Sequence, residues 1–336
     1  MLTQAIHLPP TLGFAPRRLE EGEFSHNLVK LGLAPQQPQW AHVTLPLTVS
    51  GFSTGPLYSG GRWFEIEVNV LISEITVHVE GSRAVILLAD GTSIKSYYDA
   101  IVWALESSGV TVRINPKSQE MAETWWLDRN ETPLAYDADA AQKGLQLFRD
   151  AAREQAMFLA PLRCRKVMPA LFWGTFDVSS LIVYNAHEPF PKDLVIEQAA
   201  FDEPMIEFGF WLGDASVDVP TFFILPYPFQ YTELPSERLQ PADAYYDAAM
   251  SECFLSLEHT ADGDVQDFFR TSFDLLSERL GWEGCDHYFY RSRCPRNRNK
   301  SPRTKVRELL FSLMCDSASF DRFRRGSLFV RQSTVR

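Results

Sequence analysis

The sequence predicts an α+β fold built mainly from antiparallel sheet, in two β-rich halves that each carry long packed helices. Three observations lead there. Short segments alternate apolar and polar residues with the two-residue period of half-buried strands. The links between those segments are too short for the crossover that parallel pairing needs. Helical spacing is confined to a few long runs set between the strand groups.

Taken in order, residues 1–39 carry Pro9, Pro10, Pro16, Pro35 and Pro38 with little periodicity, and read as an extended arm over the surface. Order is expected from near Trp40, with Val43 to Val49 strand-like. After the turn Ser59-Gly60-Gly61, the run from Trp63 to Val70 sets Phe64, Ile66, Val68 and Val70 on one face. Ile75, Val77 and Val79 repeat the alternation, and Ala84 to Leu88 with Ala89-Asp90-Gly91 adds a third strand and a turn. A helix follows from Ser93 to Ser108, with Thr92 as its N-cap and Gly109 as its stop. Val110 to Ile114 reads as a strand, and Asn115 to Thr132 as a polar loop pinned by Trp125 and Trp126. A second helix runs from after Asp137 to Pro161, burying Ala141, Leu145, Phe148, Ala152 and Leu159. The second half offers strands near 170–176, 179–184, 206–212 and 220–227, then helices from Pro241 to Glu258 and Asp264 to Leu280.

Residues 40–290 therefore read as a single domain with halves of about 40–136 and 137–290. The 336 residues, 45% hydrophobic and 13% aromatic, suffice for a full core. From Arg291 onward, thirteen Lys/Arg against three acidic residues give a tail of +10, which leaves the body at −21 within the total of −11. So acidic a body repels nucleic acid and anionic membrane, and only the basic tail of residues 291–336, read as a disordered extension, has a charge that attracts them. No leader pattern or membrane-length apolar run occurs, so a cytoplasmic protein is expected. The five cysteines are dispersed and lack a CxxC pair, which argues against both disulfides and a zinc ribbon.

Chemistry concentrates between residues 172 and 228. Two strings end in aspartate: Phe172-Trp173-Gly174-Thr175-Phe176-Asp177 and Phe208-Gly209-Phe210-Trp211-Leu212-Gly213-Asp214. Glycine beside tryptophan lets a ring lie close to backbone, and the aspartates stand where an apolar strand stops. A carboxylate group of Asp177, Asp202, Glu203, Glu207 and Asp214 is thus interleaved with Trp173, Phe201, Phe210, Trp211 and Tyr227. If their strands are neighbours, these side chains line one cleft, where carboxylates act as acid and base or hold a cation against an aromatic face. Trp173, Phe210, Trp211 and Tyr227 are the candidate ligand contacts; Asp177, Glu203 and Asp214 are the candidate catalytic acids. The plainer alternative, that the rings are core and the acids pair with Arg163, Arg165 or Lys166, carries more weight, because aromatic runs more often build cores than sites.

Phosphate loops, dinucleotide fingerprints, HExxH and nucleophile elbows are absent, so no cofactor is expected. His187-Glu188 and Cys285-Asp286-His287 with Cys294 match no standard metal spacing, and no metal site is assigned. The function that fits best is a small-molecule binding protein. The alternatives are a metal-independent, possibly hydrolytic enzyme that pairs Glu203 with Asp177 or Asp214, and a structural or interaction module.

Gly60-Gly61-Arg62-Trp63-Phe64-Glu65-Ile66, the Phe-Trp-Gly-Thr-Phe-Asp string, Gly209-Phe210-Trp211, Phe222-Phe223-Ile224-Leu225-Pro226-Tyr227-Pro228 and Ala244-Tyr245-Tyr246 together resemble an uncharacterised, largely bacterial family. This is the domain-of-unknown-function family numbered 5996. The resemblance spans roughly Trp40 to Trp282, stops before the basic tail, and implies a cytosolic single-domain layout with no assigned activity, substrate or cofactor. Where the family resemblance implies a His-Glu pair ahead of the Gly-Phe-Trp string, this chain has Phe201-Asp202-Glu203-Pro204, so chemistry that needs that histidine is not expected.

Overall fold

The computed structural model describes residues 29–117, 126–192, 194–213 and 219–290. All of them lie within one compact unit, and the architecture is α+β with two antiparallel sheets.

The first sheet contains β1 (Gly51–Ser53), β2 (Leu57–Ser59), β3 (Arg62–Asn69), β4 (Glu74–Val79) and β5 (Ser82–Leu87), in the order β1-β3-β4-β5 with β2 also paired to β3. Alternation does what it predicts here: Phe64, Ile66 and Val68 are buried while Trp63 is exposed. Gly60 and Gly61, with φ of 61° and 83°, make the turn from β2 to β3, where two successive left-handed residues match the strand twist. Helix α1 (Ile94–Ser107) packs on β4 and β5 through Ile94, Tyr97, Ile101 and Leu105. Its N-cap is Ser93, whose Oγ accepts from Ser96 N at 3.2 Å, one residue later than expected. Val110 to Ile114 joins no sheet, because Val110 N donates to Leu105 O and closes the helix instead.

Helix α2 (Ala138–Leu159) starts at Asp137, whose carboxylate accepts from Ala140 N at 3.0 Å. It crosses the second sheet, formed by β6 (Arg165–Phe172), β7 (Asp177–Val183), β8 (Met205–Trp211), β9 (Thr221–Tyr227), β10 (Tyr245–Asp247) and β11 (Glu252–Ser256). The order is β10-β11-β9-β8-β7-β6, antiparallel throughout. Helix α4 (Asp264–Arg279) covers β8, β9 and β11 beside α2. Short helix α3 (Val195–Ala200) packs against the 3-10 segment Pro38–Val43.

Three further expectations are corrected. Pro241 to Glu258 is not a helix: Asp247 Oδ1 accepts from the backbone of Ala249 (2.8 Å) and Met250 (3.1 Å), and this turn folds the segment into the β10–β11 hairpin. Residues 29–39 are not all extended arm, since 29–33 are helical and Val29 and Gln39 are buried. Val43 to Val49 contributes two isolated bridges rather than a strand. Leu45 exchanges both backbone hydrogen bonds with Leu171 at 2.9 Å, and Leu47 pairs with Phe52, so this segment ties the two sheets together.

The core is continuous across both sheets. Phe148 of α2 meets Phe52 of the first sheet, Phe176 of the turn between β6 and β7, and Phe210 of β8, at ring separations of 6.2, 5.7 and 6.3 Å. A smaller apolar cluster, Leu181, Val183, Met205 and Tyr227, lies on the other face of the second sheet. No helix among the described residues is long and apolar enough to cross a membrane.

Candidate functional site

Strand geometry decides which side chains can meet. Successive residues point to opposite faces, so β8 presents Ile206, Phe208 and Phe210 to α2 and α4 and presents Met205, Glu207, Gly209 and Trp211 outward. The register sets Asp177 opposite Trp211, Ser179 opposite Gly209, and Leu181 opposite Glu207 on the β7 side. On the β9 side, Phe223 faces Gly209 and Leu225 faces Glu207. Cys253 pairs with Ile224, which puts Glu252 beside Leu225 on the same outer face.

This outer face floors a cavity of about 1000 Å³. Asp177, Glu207, Trp211, Phe223 and Glu252 line it from the sheet, Trp173-Gly174-Thr175 from the β6–β7 turn, and Gln39 and Trp40 from the 3-10 segment. Ile196, Glu197 and Phe201 add a wall at α3, and exposed Lys117 also borders the space.

Gly209 is what lets the floor close. A Cβ on it would stand 2.0 Å from the Phe223 ring, so that ring lies directly on bare strand. Trp211 leans on Phe223 at 5.2 Å and on Phe254 at 5.8 Å, making a continuous aromatic surface beside the acids.

The three floor acids are poorly solvated. Asp177 is 2% exposed and accepts hydrogen bonds from the Thr175 and Ser179 hydroxyls. Burial nevertheless pushes its carboxyl above the ordinary range, against those bonds. Glu207 rises further, first from burial and then from the charge of Asp177. Glu252 is pushed up to about 7 by burial, then by Asp177 and Asp247. The Ser179 hydroxyl acts against that rise at Glu207. A hydroxyl has one proton, and Ser179 gives it to Asp177.

Glu203 behaves differently. Both guanidinium nitrogens Nη1 and Nη2 of Arg165 donate to it, and Gln39 Nε2 donates to it at 3.0 Å and to Asp202 at 2.9 Å. These donors hold its carboxyl below the usual range, and it does not line the cavity. Gln39 and Trp40 have φ of 55° and 56°, a left-handed pair that costs about 1 kcal/mol or more per residue. The carboxamide of Gln39, anchored on the two acids, holds that backbone and so holds Trp40 at the cavity.

A family model matches residues 28–286, which takes in both sheets and every wall of the cavity. The chain belongs to DUF5996, a family of unknown function. No curated protein and no solved structure matches it.

Within this DUF5996 domain, Trp173, Trp211 and Asp177 come together at the cavity. Phe210 does not: it is 1% exposed on the opposite face, packed on Phe148 and Phe222. Tyr227 shares the outer face but stands in the aromatic wall of Phe190, Phe201 and Phe229, outside the lining. Asp214 and Trp125 lie outside the described residues. Asp177 does not stand where a strand stops; it opens β7, and residues 173–176 form the turn before it. Sequence reasoning missed Glu252 because its segment was read as helix, whereas a strand reading would have placed it on the outer face. Trp40 and Phe223 were also missed, and only the pairing register brings Phe223 to the floor. Among the described residues, no group of three His, Cys, Asp or Glu side chains converges as a metal shell.

Proposed function

We propose that this protein binds a small molecule in the aromatic and acidic cavity on the outer face of its second sheet. One observation carries the reading: Trp173, Asp177 and Trp211 come from two separate strings of the chain and line a single space of about 1000 Å³. That is the size and mixed lining of a ligand pocket, with apolar walls and a few convergent polar groups. A thermal-shift screen against polar metabolites tests it. A compound that raises the wild-type Tm should leave Trp211→Ala, still folded, unmoved; an equal shift in both proteins sinks the reading.

A second reading, acid–base chemistry, has one specific observation behind it. Asp177 and Glu207 line the same cavity from the adjacent strands β7 and β8, and their carboxyls differ in proton affinity, the pattern of an acid–base pair. It replaces the pairing of Asp177 with Glu203, whose carboxylate is engaged by Arg165. If chemistry occurs, Glu207→Gln should lower turnover far more than it weakens ligand-induced stabilisation.

A further inference from the structure

We propose that the cavity takes an organic cation with N–H donors: a primary or secondary ammonium on an apolar body, seated between the Phe223 ring and the carboxyls of Asp177, Glu207 and Glu252. This rests on the cavity being a ligand site and goes beyond it in naming the chemical class.

The lining decides the sign of the charge. Among the described residues it includes four acids, Asp177, Glu197, Glu207 and Glu252, against one base, the exposed Lys117, with no arginine and no histidine. An anion would enter a low-dielectric space already crowded with like charge, while a cation relieves that crowding. Six aromatic side chains border the same space, and ring faces attract cations through their quadrupole. Phe223 matters most, because the tip of its ring lies over Gly209 in the row next to the acids.

Two orphaned polar atoms in the lining residues decide the kind of cation. Glu252 Oε2 and Trp211 Nε1 are both buried without a hydrogen-bond partner. An acceptor with no donor is costly to bury. Glu252 lines the cavity, so an ammonium N–H seated there donates to its carboxyl, and a quaternary ammonium has no proton to donate. A hydroxyl or carbonyl beside the amine would in turn give the Trp211 indole its acceptor. A metal ion is the poorer occupant, since no shell of three ligands converges among the described residues.

Proton release should accompany binding. Burial raises the carboxyls of Glu207 and Glu252 toward the neutral range, and a seated cation favours their ionised forms. The groups facing them are Asp177 with its Thr175 and Ser179 hydroxyls, Asp247 beside Glu252, and Glu197 and Lys117 along the walls.

The test uses the full chain and a matched set of probes: 2-phenylethylamine, 2-phenylethanol, 3-phenylpropanoate and trimethyl(2-phenylethyl)ammonium, with agmatine and spermidine as longer amines. Calorimetry near pH 7.5 should give the tightest binding to an N–H ammonium probe. The neutral and quaternary analogues should bind at least about tenfold more weakly, and the anion not at all. The apparent enthalpy should vary with the ionisation enthalpy of the buffer. Glu207→Gln/Glu252→Gln should weaken the amine at least about tenfold; Glu252→Gln alone serves if the double variant does not fold. Equal or tighter binding of the neutral or anionic probe, unchanged binding in the variants, or no binding of any amine overturns the proposal. A Trp211-dependent shift with a neutral or anionic compound would overturn the cation while leaving the cavity as a binding site; a shift indifferent to Trp211 would remove both.

Discussion

Two neighbouring residues of β8 point into different worlds. Phe210 faces α2 and α4, is 1% exposed, and meets Phe148 and Phe222 in the continuous core. Trp211 faces outward, is half-buried, lines the cavity, and carries an indole N–H with no partner. The same division runs across the sheet. The inner face presents Ile182, Phe208, Phe222 and Ile224, all fully buried and apolar, while the outer face presents Asp177, Glu207 and Glu252 beside rings. The inner face follows the rules of stable packing, and the outer face breaks them with under-solvated acids, a violation that concentrates at functional sites.

Substitutions on the two faces should separate stability from binding. Phe210→Ala leaves a ring-sized hole among packed aromatics and should cost about 3–5 kcal/mol, read as a large fall in Tm or loss of folded protein. Trp211→Ala should cost clearly less by chemical denaturation, because part of the side chain already meets the cavity. Comparable losses in the two would erase the distinction between the faces. Gly209→Ala probes the seam: its methyl meets the Phe223 ring at 2.0 Å, so the ring must move. Overpacking of this kind costs about 1–3 kcal/mol, and ligand binding should fall with it.

The fold was legible where a single period governs. Phe64, Ile66 and Val68 announce β3 by alternation, and Asp137 announces the start of α2 by capping chemistry. The site was legible only in part, for three physical reasons. An aromatic string read as one feature hides that Phe210 and Trp211, adjacent on a strand, cannot share a face. Glu252 was lost because helical spacing from Pro241 onward outweighed a turn set by the Asp247 side chain. Gln39 and Trp40 adopt left-handed backbone that no local residue preference announces, held by carboxylates 163 and 164 positions away.

The acids of the outer face give a pH signature that the inner face lacks. Carboxyls with raised folded-state pKa bind more protons in the native state than in the unfolded chain between their two pKa values. Stability therefore falls as pH rises from the ordinary carboxyl range toward about 7, the range of Glu252. Each such group contributes a slope of at most about 1.4 kcal/mol per pH unit. Denaturation midpoints between about pH 5 and 8 should decline in wild type and flatten in Glu252→Gln; an identical slope in the variant would contradict burial as the cause. The smallest effect is expected at Glu203. Its pair with Arg165 is partly exposed, so Glu203→Gln should cost about 1 kcal/mol or less. Because Gln39 loses part of its anchor, any change in ligand affinity should exceed the change in stability, and the reverse order would remove the clamp on Trp40 from the account.

The most direct test of the divided sheet follows each tryptophan separately. With 5-fluorotryptophan incorporated and resonances assigned by single Trp→Phe replacements, a compound found by thermal shift is titrated and observed by fluorine NMR. The signals of Trp173 and Trp211 should move together and saturably, while those of Trp63 and Trp103, exposed at 53% and 68%, stay in place. Movement of Trp63 or Trp103 with Trp173 and Trp211 unchanged would place the ligand elsewhere and contradict the cavity as the functional site.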